Sequence, residues 1–375
     1  MKRNALFLLA VIAGLAAVSC RPARPNMAPR PQTFGFPLME ESGLPFEGTA
    51  VGPVRTRYGT AYFTAREGFL YCVDVLSRRI VWRFKTDLPV EAPPEVGENL
   101  ILVRDAGNSI YGLDETGRLA FKSAPADVVT TAVREYAGRV YYGCQKGRIV
   151  ALDGGPDGRI AWQAEAGTAV RSGPVFSGGL VIVGADDGLL RALDAGGRTV
   201  WIFKAQGRIR TDPAALGGRI YFGTEDGYFY CLEAATGRKK WLFRLGGAPV
   251  QAPRPAGDRL IVATADSVVY CLRARAGEIA WWQPVGSRII RGVSEADGIV
   301  FVSSLVPGVA GYDLRAGYRR GEYAAAGDLR AGAEWSTPYL VLIEPDAMTG
   351  GEKIVFLKRD RRPVASMGKT SGVRR

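Results

Sequence analysis

The chain has 375 residues, with 49 Lys and Arg against 37 Asp and Glu, a net charge of +12, and no histidine. The lack of histidine excludes a histidine general base, a Ser-His-Asp triad and a His-ligated metal or haem. The hydrophobic fraction of 47% and the charged fraction of 23% are typical of a globular protein and not of a disordered one. The excess of positive charge raises the question of nucleic-acid binding, which its distribution decides.

The first residues have the features of a bacterial secretion signal. Lys2 and Arg3 precede an apolar run over 5–18, and small residues lead to Cys20. The run is shorter than the roughly 20 residues that a transmembrane helix needs. Residues 1–19 are therefore predicted to be a signal peptide.

The residues around Cys20 predict a lipid anchor. Residues 17–20, Ala-Val-Ser-Cys, resemble a lipobox, whose cysteine receives a diacylglycerol group, although Ala17 stands where Leu is usual. The alternative is cleavage by ordinary signal peptidase, which would leave a plain periplasmic protein. Residues 20–31, rich in Pro and Arg, are predicted to be an extended tether.

The rest of the chain repeats about every 40 residues. Short runs of β-branched and aromatic residues recur eight times, and one residue chosen from each run gives the series Tyr62, Leu102, Tyr141, Ile182, Tyr221, Ile261, Phe301 and Val341. An aromatic residue follows about 20 residues after six of them, at Trp82, Phe121, Trp162, Trp201, Trp241 and Trp281. A glycine stands four residues before the last five of these aromatic residues. Landmarks in phase over eight units identify a repeat architecture.

Each repeat is predicted to form four antiparallel strands, here named A to D in chain order. In the unit 169–205, apolar or alternating runs are separated by Gly-Gly and Asp-Gly pairs, which favour hairpin turns. Short strands at this period predict an all-β protein, an eight-bladed β-propeller of four-stranded antiparallel blades over 32–358.

The eighth repeat lacks a D strand of its own. Its C-like strand is followed only by a basic tail, 359–375. Phe34, Phe36 and Leu38 alternate before the first A strand, so the segment 32–40 is predicted to close the ring as the outer strand of blade eight. The alternative is that this segment is a linker.

The repeat resembles that of the pyrroloquinoline-quinone (PQQ)-type propellers. The resemblance is carried by DGYFYCLEAATGRKKW at 226–241, EGFLYCVDVLSRRIVW at 67–82 and DGLLRALDAGGRTVW at 187–201. It implies that the six aromatic residues named above dock between neighbouring blades. Phe121 replaces Trp in the second unit, and Gly321 occupies that position in the seventh.

The resemblance also includes quinoprotein dehydrogenases, but the residues favour a protein without catalysis. The chain has no adjacent pair of cysteines and no haem-attachment motif. Asp153, Asp194 and Glu233 recur at one repeat position, which indicates a role in turns. No catalytic residue, metal or cofactor is expected.

The cysteines are expected to be buried apolar residues. Cys72, Cys231 and Cys271 share one C-strand position, and Cys144 ends a B strand. A disulfide between Cys231 and Cys271 is the alternative.

A candidate binding surface follows from the loops that join D to A and B to C. Eleven residues before the strand-B landmarks, the chain places Arg171, Arg210 and Arg330, with Asp212 and Arg291 close by. These five residues are predicted to form a rim that grips a partner protein. Solvated loop ends are the alternative.

A lipidated periplasmic PQQ-type propeller of this size resembles the BamB family of the outer-membrane β-barrel assembly machinery. That resemblance implies an outer-membrane lipoprotein that faces the periplasm, a monomer within a complex, bound to the barrel-forming subunit or another periplasmic protein. Its nearest binding loops here are 167–173 and 206–212. The alternatives are a propeller lipoprotein that binds a ligand or polysaccharide and, less favoured, a PQQ-dependent dehydrogenase.

The positive charge belongs to the two ends of the chain. Residues 1–30 carry +5 and residues 358–375 carry +6, which leaves +1 for the propeller between them. The charge therefore gives no support to nucleic-acid binding, and both ends suit anionic lipid headgroups.

Overall fold

The computed structural model describes residues 38–155 and 158–359, and every regular element in these ranges is a β-strand. The strands form eight four-stranded antiparallel sheets. The first strand is β1 (Leu38–Phe46). The blades one to three follow as β2 (Ala50–Arg57), β3 (Thr60–Ala65), β4 (Phe69–Asp74), β5 (Arg79–Lys85); β6 (Glu95–Val96), β7 (Ile101–Arg104), β8 (Ile110–Leu113), β9 (Leu119–Ser123); and β10 (Arg134–Tyr136), β11 (Arg139–Gly143), β12 (Arg148–Asp153), β13 (Ile160–Glu165).

The other five blades continue the same order. Blades four to six are β14 (Val175–Ser177), β15 (Leu180–Gly184), β16 (Leu189–Leu193), β17 (Thr199–Lys204); β18 (Ala214–Leu216), β19 (Arg219–Gly223), β20 (Tyr228–Glu233), β21 (Lys239–Arg244); and β22 (Arg254–Ala256), β23 (Arg259–Ala263), β24 (Val268–Arg273), β25 (Ile279–Pro284). Blades seven and eight are β26 (Ile289–Ala296), β27 (Ile299–Ser304), β28 (Val309–Asp313), β29 (Arg319–Tyr323); and β30 (Ala331–Ser336), β31 (Tyr339–Pro345), β32 (Glu352–Arg359) with β1. The eight-bladed propeller predicted from the repeat is confirmed.

The first strands of the blades line a central channel, where neighbouring ones contact each other, and the fourth strands form the outer edge. The hydrophobic clusters lie mostly between blades. One cluster joins Phe63 and Tyr71 of blade one to Phe356 of blade eight. A four-stranded sheet cannot bury both faces alone, so each blade is stabilised by its neighbours.

The ring is closed by β1, which pairs with β32 from Leu38↔Arg359 to Phe46↔Glu352. This strand lies later in the chain than the segment 32–40 expected from the alternation, and Phe34 and Phe36 lie outside the described residues. The position follows from the connection to blade one. Only residues 47–49 separate the end of β1 from β2, so the closing strand must run up to blade one.

The aromatic residues of the repeat lie between blades, as the resemblance implies. The indole N–H of Trp201, in blade four, donates to the carbonyl oxygen of Ala234 in blade five at 2.9 Å. The same bond to the next blade is made by Trp82, Trp162, Trp241 and Trp281. Phe121 is buried at the equivalent position but has no N–H to donate.

A bulge and a glycine make room for each tryptophan. In blades one to seven the register between the third and fourth strands shifts just before the aromatic position, and in blade four the extra residue is Val200. The ring of Trp201 then covers Gly237, whose φ is +70°. A Cβ atom at Gly237 would lie 2.7 Å from the indole, so a larger residue cannot occupy this position without displacement.

The four cysteines within the described ranges are buried and free. Cys231 and Cys271 therefore do not form the disulfide that was the alternative. Burial raises the pKa of the Cys72 and Cys144 thiols to about 11, which keeps them protonated and unreactive at neutral pH.

Gly237→Ala should destabilise the protein more than Gly257→Ala. Both glycines have positive φ, but a Cβ at Gly257 meets no atom within 4 Å, so that control carries backbone strain alone, about 1 kcal/mol. The indole contact should add about 1–3 kcal/mol at Gly237. The free energy of unfolding in urea measures the difference, and equal losses would contradict the role of the Trp201–Gly237 contact.

Candidate functional site

The loops of the predicted rim are fixed by single β-bridges to the loop between the second and third strands. In blade four, Val170 forms a bridge with Ala185, and equivalent bridges occur in blades two, three and six. Because these bridges set the register of each loop, Arg171 and Asp186, the residues that follow the bridged pair, lie side by side.

Arg171 and Arg210 come together on one carboxylate. The Nε atom of Arg171 lies 3.1 Å from Oδ2 of Asp186, and that of Arg210 lies 2.9 Å from Oδ1 of the same residue. Arg210 also lies 2.5 Å from Oε1 of Glu225. Burial alone would raise the pKa of Asp186, but the bonds from Arg210 and Arg171 outweigh it and lower the pKa. These four residues, Arg171, Asp186, Arg210 and Glu225, are called the rim network below.

Asp212 does not belong to that network, because its carboxylate points into the channel wall. Oδ2 accepts a bond of 2.7 Å from Arg134 of blade three, and Oδ1 accepts one of 2.5 Å from the backbone N–H of Gly173. Asp212 thus connects three successive blades, and its contact with a partner stays a prediction.

The other two rim residues lie apart from the rim network. Arg330 forms an ion pair of 3.0 Å with Glu352 at the closing blade, where Glu352 also accepts the N–H of Ala50 at 2.8 Å. Arg291 is in β26, and its side chain lies outside what the structure describes. Arg171, Arg210 and Arg330 thus each have an acidic neighbour, and their contact with a partner stays a prediction.

The channel wall has one equivalent residue in each blade, and five of these eight residues are charged. Each strand-B landmark pairs with the residue seven positions earlier in the chain, which lies on the first strand of the same blade. These eight first-strand residues are Arg55, Glu95, Arg134, Val175, Ala214, Arg254, Ser294 and Glu334. Counting back seven residues from each landmark could have found them.

These charges pair with each other along the channel wall, between blades that are one or two apart in the ring. Arg55 lies 3.3 Å from Glu95, and Arg254 of blade six lies 2.6 Å from Glu334 of blade eight. Together with Arg134–Asp212, the pairs line a cavity of about 690 Å³.

The channel does not fit a quinone with calcium. Its carboxylates Glu95, Asp212 and Glu334 are each bonded to an arginine, and the described cysteines are buried in the blades. Within 38–155 and 158–359, no group of three or more His, Cys, Asp or Glu is placed to hold a metal ion. In the same ranges, no helix is long and apolar enough to span a membrane.

The repeat units match one family model, that of the outer membrane protein assembly factor BamB. Three copies of the model cover residues 45–155, 145–256 and 244–370. The chain belongs to the BamB family. No curated protein matches it.

Solved structures share the propeller at low sequence identity. BamB from Moraxella catarrhalis is 17% identical, with a TM-score of 0.69, over 85% of this chain and 99% of that one. Sqt1 of Saccharomyces cerevisiae is 9% identical, with a TM-score of 0.71, over 86% and 100%. A quinohemoprotein alcohol dehydrogenase from Pseudomonas putida is 13% identical, with a TM-score of 0.66, over 88% and 77%. These likenesses establish the fold, and the BamB family model identifies the family.

Asp186→Asn should remove part of the acid sensitivity of this BamB-family propeller. The pKa of Asp186 is lowered in the folded state, so its contribution is present above the unfolded pKa of about 3.9 and is lost as the pH falls through the folded pKa. At pH 7 the variant should lose up to about 1 kcal/mol, and the loss should shrink below pH 4.

Asp328→Asn is the control, because Asp328 is an exposed loop residue. Urea unfolding at pH 7, 5 and 3 makes the comparison. An Asp186→Asn loss that is the same at all three pH values would mean that the ion pairs do not control it.

Proposed function

We propose that this protein is a non-catalytic scaffold of outer-membrane protein assembly, anchored by lipid to the outer membrane and facing the periplasm. The observation that carries the proposal is the threefold match of the BamB family model over residues 45–370. The partner is the barrel-forming subunit of the assembly machinery. One copy of this chain binds that subunit within the complex.

The rim network is the proposed centre of partner binding. Arg171 and Arg210 have side chains that are 38% exposed, so their guanidinium groups can still reach a partner while Asp186 holds their orientation. Such pre-organised arginines favour binding, because little side-chain freedom is lost in the complex. The formal charges of the two arginines and two carboxylates cancel, which favours recognition by directed hydrogen bonds over simple attraction.

Replacing both arginines, Arg171→Ala with Arg210→Ala, should weaken capture of the barrel-forming subunit about tenfold or more, as expected for arginines at an interface centre. The measurement is the affinity of the full chain for that subunit's periplasmic domains.

Arg198→Ala with Arg238→Ala is the matched control. These arginines belong to blades four and five as well, and each forms an ion pair, with Asp194 and Glu233, but they lie on the opposite face in turns before the fourth strand. Unchanged capture by the Arg171/Arg210 variant, or equal loss in the control, would contradict the rim. A wild-type chain that captures no barrel-forming subunit would refute the assembly role.

The lipid anchor is proposed at Cys20, which lies outside the described residues. The basic ends on either side of the propeller would add attraction to anionic headgroups, up to about 1 kcal/mol per cation near the surface. Signal cleavage before Cys20 would place the anchor at the start of the tether 20–31.

Cys20→Ser should release the mature protein from the membrane fraction after a high-salt wash, because salt removes the attraction of the basic ends and only the acyl chains would remain as an anchor. Asn26→Ser, in the same tether, should stay in the membrane fraction. If Cys20→Ser protein also resists the wash, the lipid is not the anchor.

A second candidate function, binding of a polar ligand or polysaccharide, is favoured by the channel cavity. Two side-chain atoms on its wall, Nε of Arg134 and Oγ1 of Thr211, are buried without a hydrogen-bond partner. Titration of soluble oligosaccharides into the lipid-free chain tests this candidate. Saturable binding that is lost in Arg254→Ala, whose guanidinium lines the cavity, would support it.

A further inference from the structure

Two neighbouring turns of blade one expose large apolar side chains on the face opposite the rim network. In each blade this face is formed by the turns that join the first strand to the second and the third strand to the fourth. Tyr58, in the first kind of turn, is 95% exposed, and Leu76, in the second kind, is 63% exposed. We infer that these two residues, here called the contact pair, enter the headgroup layer of a phospholipid bilayer and set this side of the propeller against the membrane.

The contact pair departs from the repeat at both of its positions. The position of Leu76, six residues before the aromatic position, is Ala235, Arg275 and Arg315 in blades five to seven. In the part of the chain that the structure describes, no other turn on this face exposes a large apolar side chain. The position of Tyr58 holds small or polar residues in the other seven blades, namely Glu98, Ala137, Gly178, Gly217, Gly257, Asp297 and Thr337.

Tyr58 serves neither the turn nor the core. Its φ is +48°, in the left-handed region where a bulky side chain is strained, whereas Gly178 and Gly217 take the same position at no such cost. Its ring is almost fully exposed, so it gains little from packing. A strained aromatic residue that contributes little to the fold points to a binding role.

Both turns lie beside the closing blade. The backbone N–H of Val75 donates to the carbonyl oxygen of Gly59 at 2.9 Å and so joins the two turns. Arg78, in the second turn, lies 3.5 Å from one carboxylate oxygen of Glu41 in β1, and the other oxygen lies 3.9 Å from Lys358 in β32. The contact pair is therefore next to the ends of the two strands that close the ring.

The chain that continues from these strands identifies the occupant as lipid. Leu38, which begins β1, pairs with Arg359, so both ends of the described propeller emerge on the face of the contact pair. Residues 20–37 connect Leu38 to the proposed anchor at Cys20 and span at most about 60 Å when fully extended. The inference rests on the proposed function in this respect, because the anchor keeps this face within reach of the bilayer.

Charge favours an anionic bilayer. Residues 20–37 contain three arginines and no acidic residue, and residues 359–375 carry a net charge of +5. Arg57 and Arg79 stand next to the two turns in the chain. Basic residues attract anionic headgroups, and tyrosine is enriched at the headgroup level of membranes. Two side chains are a small apolar surface, so the contact pair orients a propeller that the acyl chains hold.

The first test measures which face of the anchored propeller meets the bilayer. Ser77→Cys, next to Leu76, is labelled with a fluorescent dye in the lipidated full chain, on vesicles of phosphatidylethanolamine and phosphatidylglycerol that contain brominated lipid. The native cysteines of the described ranges are buried, so the label goes to the introduced one. Quenching should be at least about threefold stronger than for the same label at Met348→Cys, which is on the opposite face. Equal quenching at the two positions would overturn the inference.

The second test uses variants of the full chain that carries Cys20→Ser and therefore no lipid. Tyr58→Asn with Leu76→Ser should weaken its binding to the same vesicles at low salt at least about fivefold, because the apolar contact is lost. Asn tolerates positive φ, so the turn is kept. Cosedimentation with the vesicles gives the affinity.

Val306→Ser with Met348→Ser is the matched control in the same Cys20→Ser chain. Val306 is 60% exposed and Met348 95% exposed, in turns between the second and third strands of blades seven and eight. This control should bind like the parent chain. Unchanged binding by the contact-pair variant would mean that the basic ends alone bind the lipid, and it would overturn the inference, as would an equal loss in the control.

Two further outcomes separate the contact pair from self-association and from the anchor. Self-association without vesicles that disappears in Tyr58→Asn with Leu76→Ser would overturn the inference, because the occupant would then be a second copy. A lipidated chain that stays on vesicles without quenching at Ser77→Cys would refute the contact pair and leave the anchor intact. A chain that carries no lipid on Cys20 would refute the anchor, and the vesicle affinities of the variants would still decide the contact.

Discussion

The fold depends on the contact between the tryptophan of one blade and a glycine of the next. In blade four the bulge at Val200 turns Trp201, the ring covers Gly237, and the indole N–H satisfies a carbonyl in blade five. One interaction thus buries an aromatic surface, satisfies a buried acceptor and fixes the distance between sheets. Its repetition explains why glycine, an otherwise weak choice within a sheet, recurs at a fixed position of the repeat.

The closing blade combines apolar packing with specific polar bonds. Blade seven has Gly321 at the aromatic position, and its seam with blade eight is packed by apolar side chains such as Phe301 and Leu340. Within blade eight, Lys353 lies 2.8 Å from Glu40 and 3.3 Å from Glu344. Glu352 joins blade eight to the N–H of Ala50 in blade one. The Lys353–Glu40 and Glu352–Ala50 bonds join segments that are about 300 residues apart, so at the closing blade specific polar bonds add to the apolar packing that all blades share.

The repeat could be predicted because its signals are local. The Gly-Gly and Asp-Gly turn pairs, the strand residues and the aromatic residues such as Trp82 stand at fixed spacing in the chain. The closing strand β1 runs from Leu38 to Phe46 and overlaps the end of the predicted segment 32–40, whose first residues lie outside the described ones. Where it ends is decided by the short 47–49 connection to blade one, which strand alternation does not show. The rim was found only in part. Position in the repeat shows that Arg171 and Arg210 share a face. The ion pairs Arg210–Asp186 and Arg134–Asp212 join different repeats, so the pattern of a single repeat does not reveal them.

The rim network and the two ends of the described propeller lie on opposite sides of the ring. The propeller begins at Leu38 in blade eight, which pairs with Arg359 at its other end. In a ring of eight blades, blade four is directly opposite blade eight. Arg171 and Arg210, in the loops of blades four and five, are therefore remote from Leu38. An anchor at Cys20, as proposed, would leave the rim network accessible to partners, because the propeller begins on the far side of the ring from these arginines.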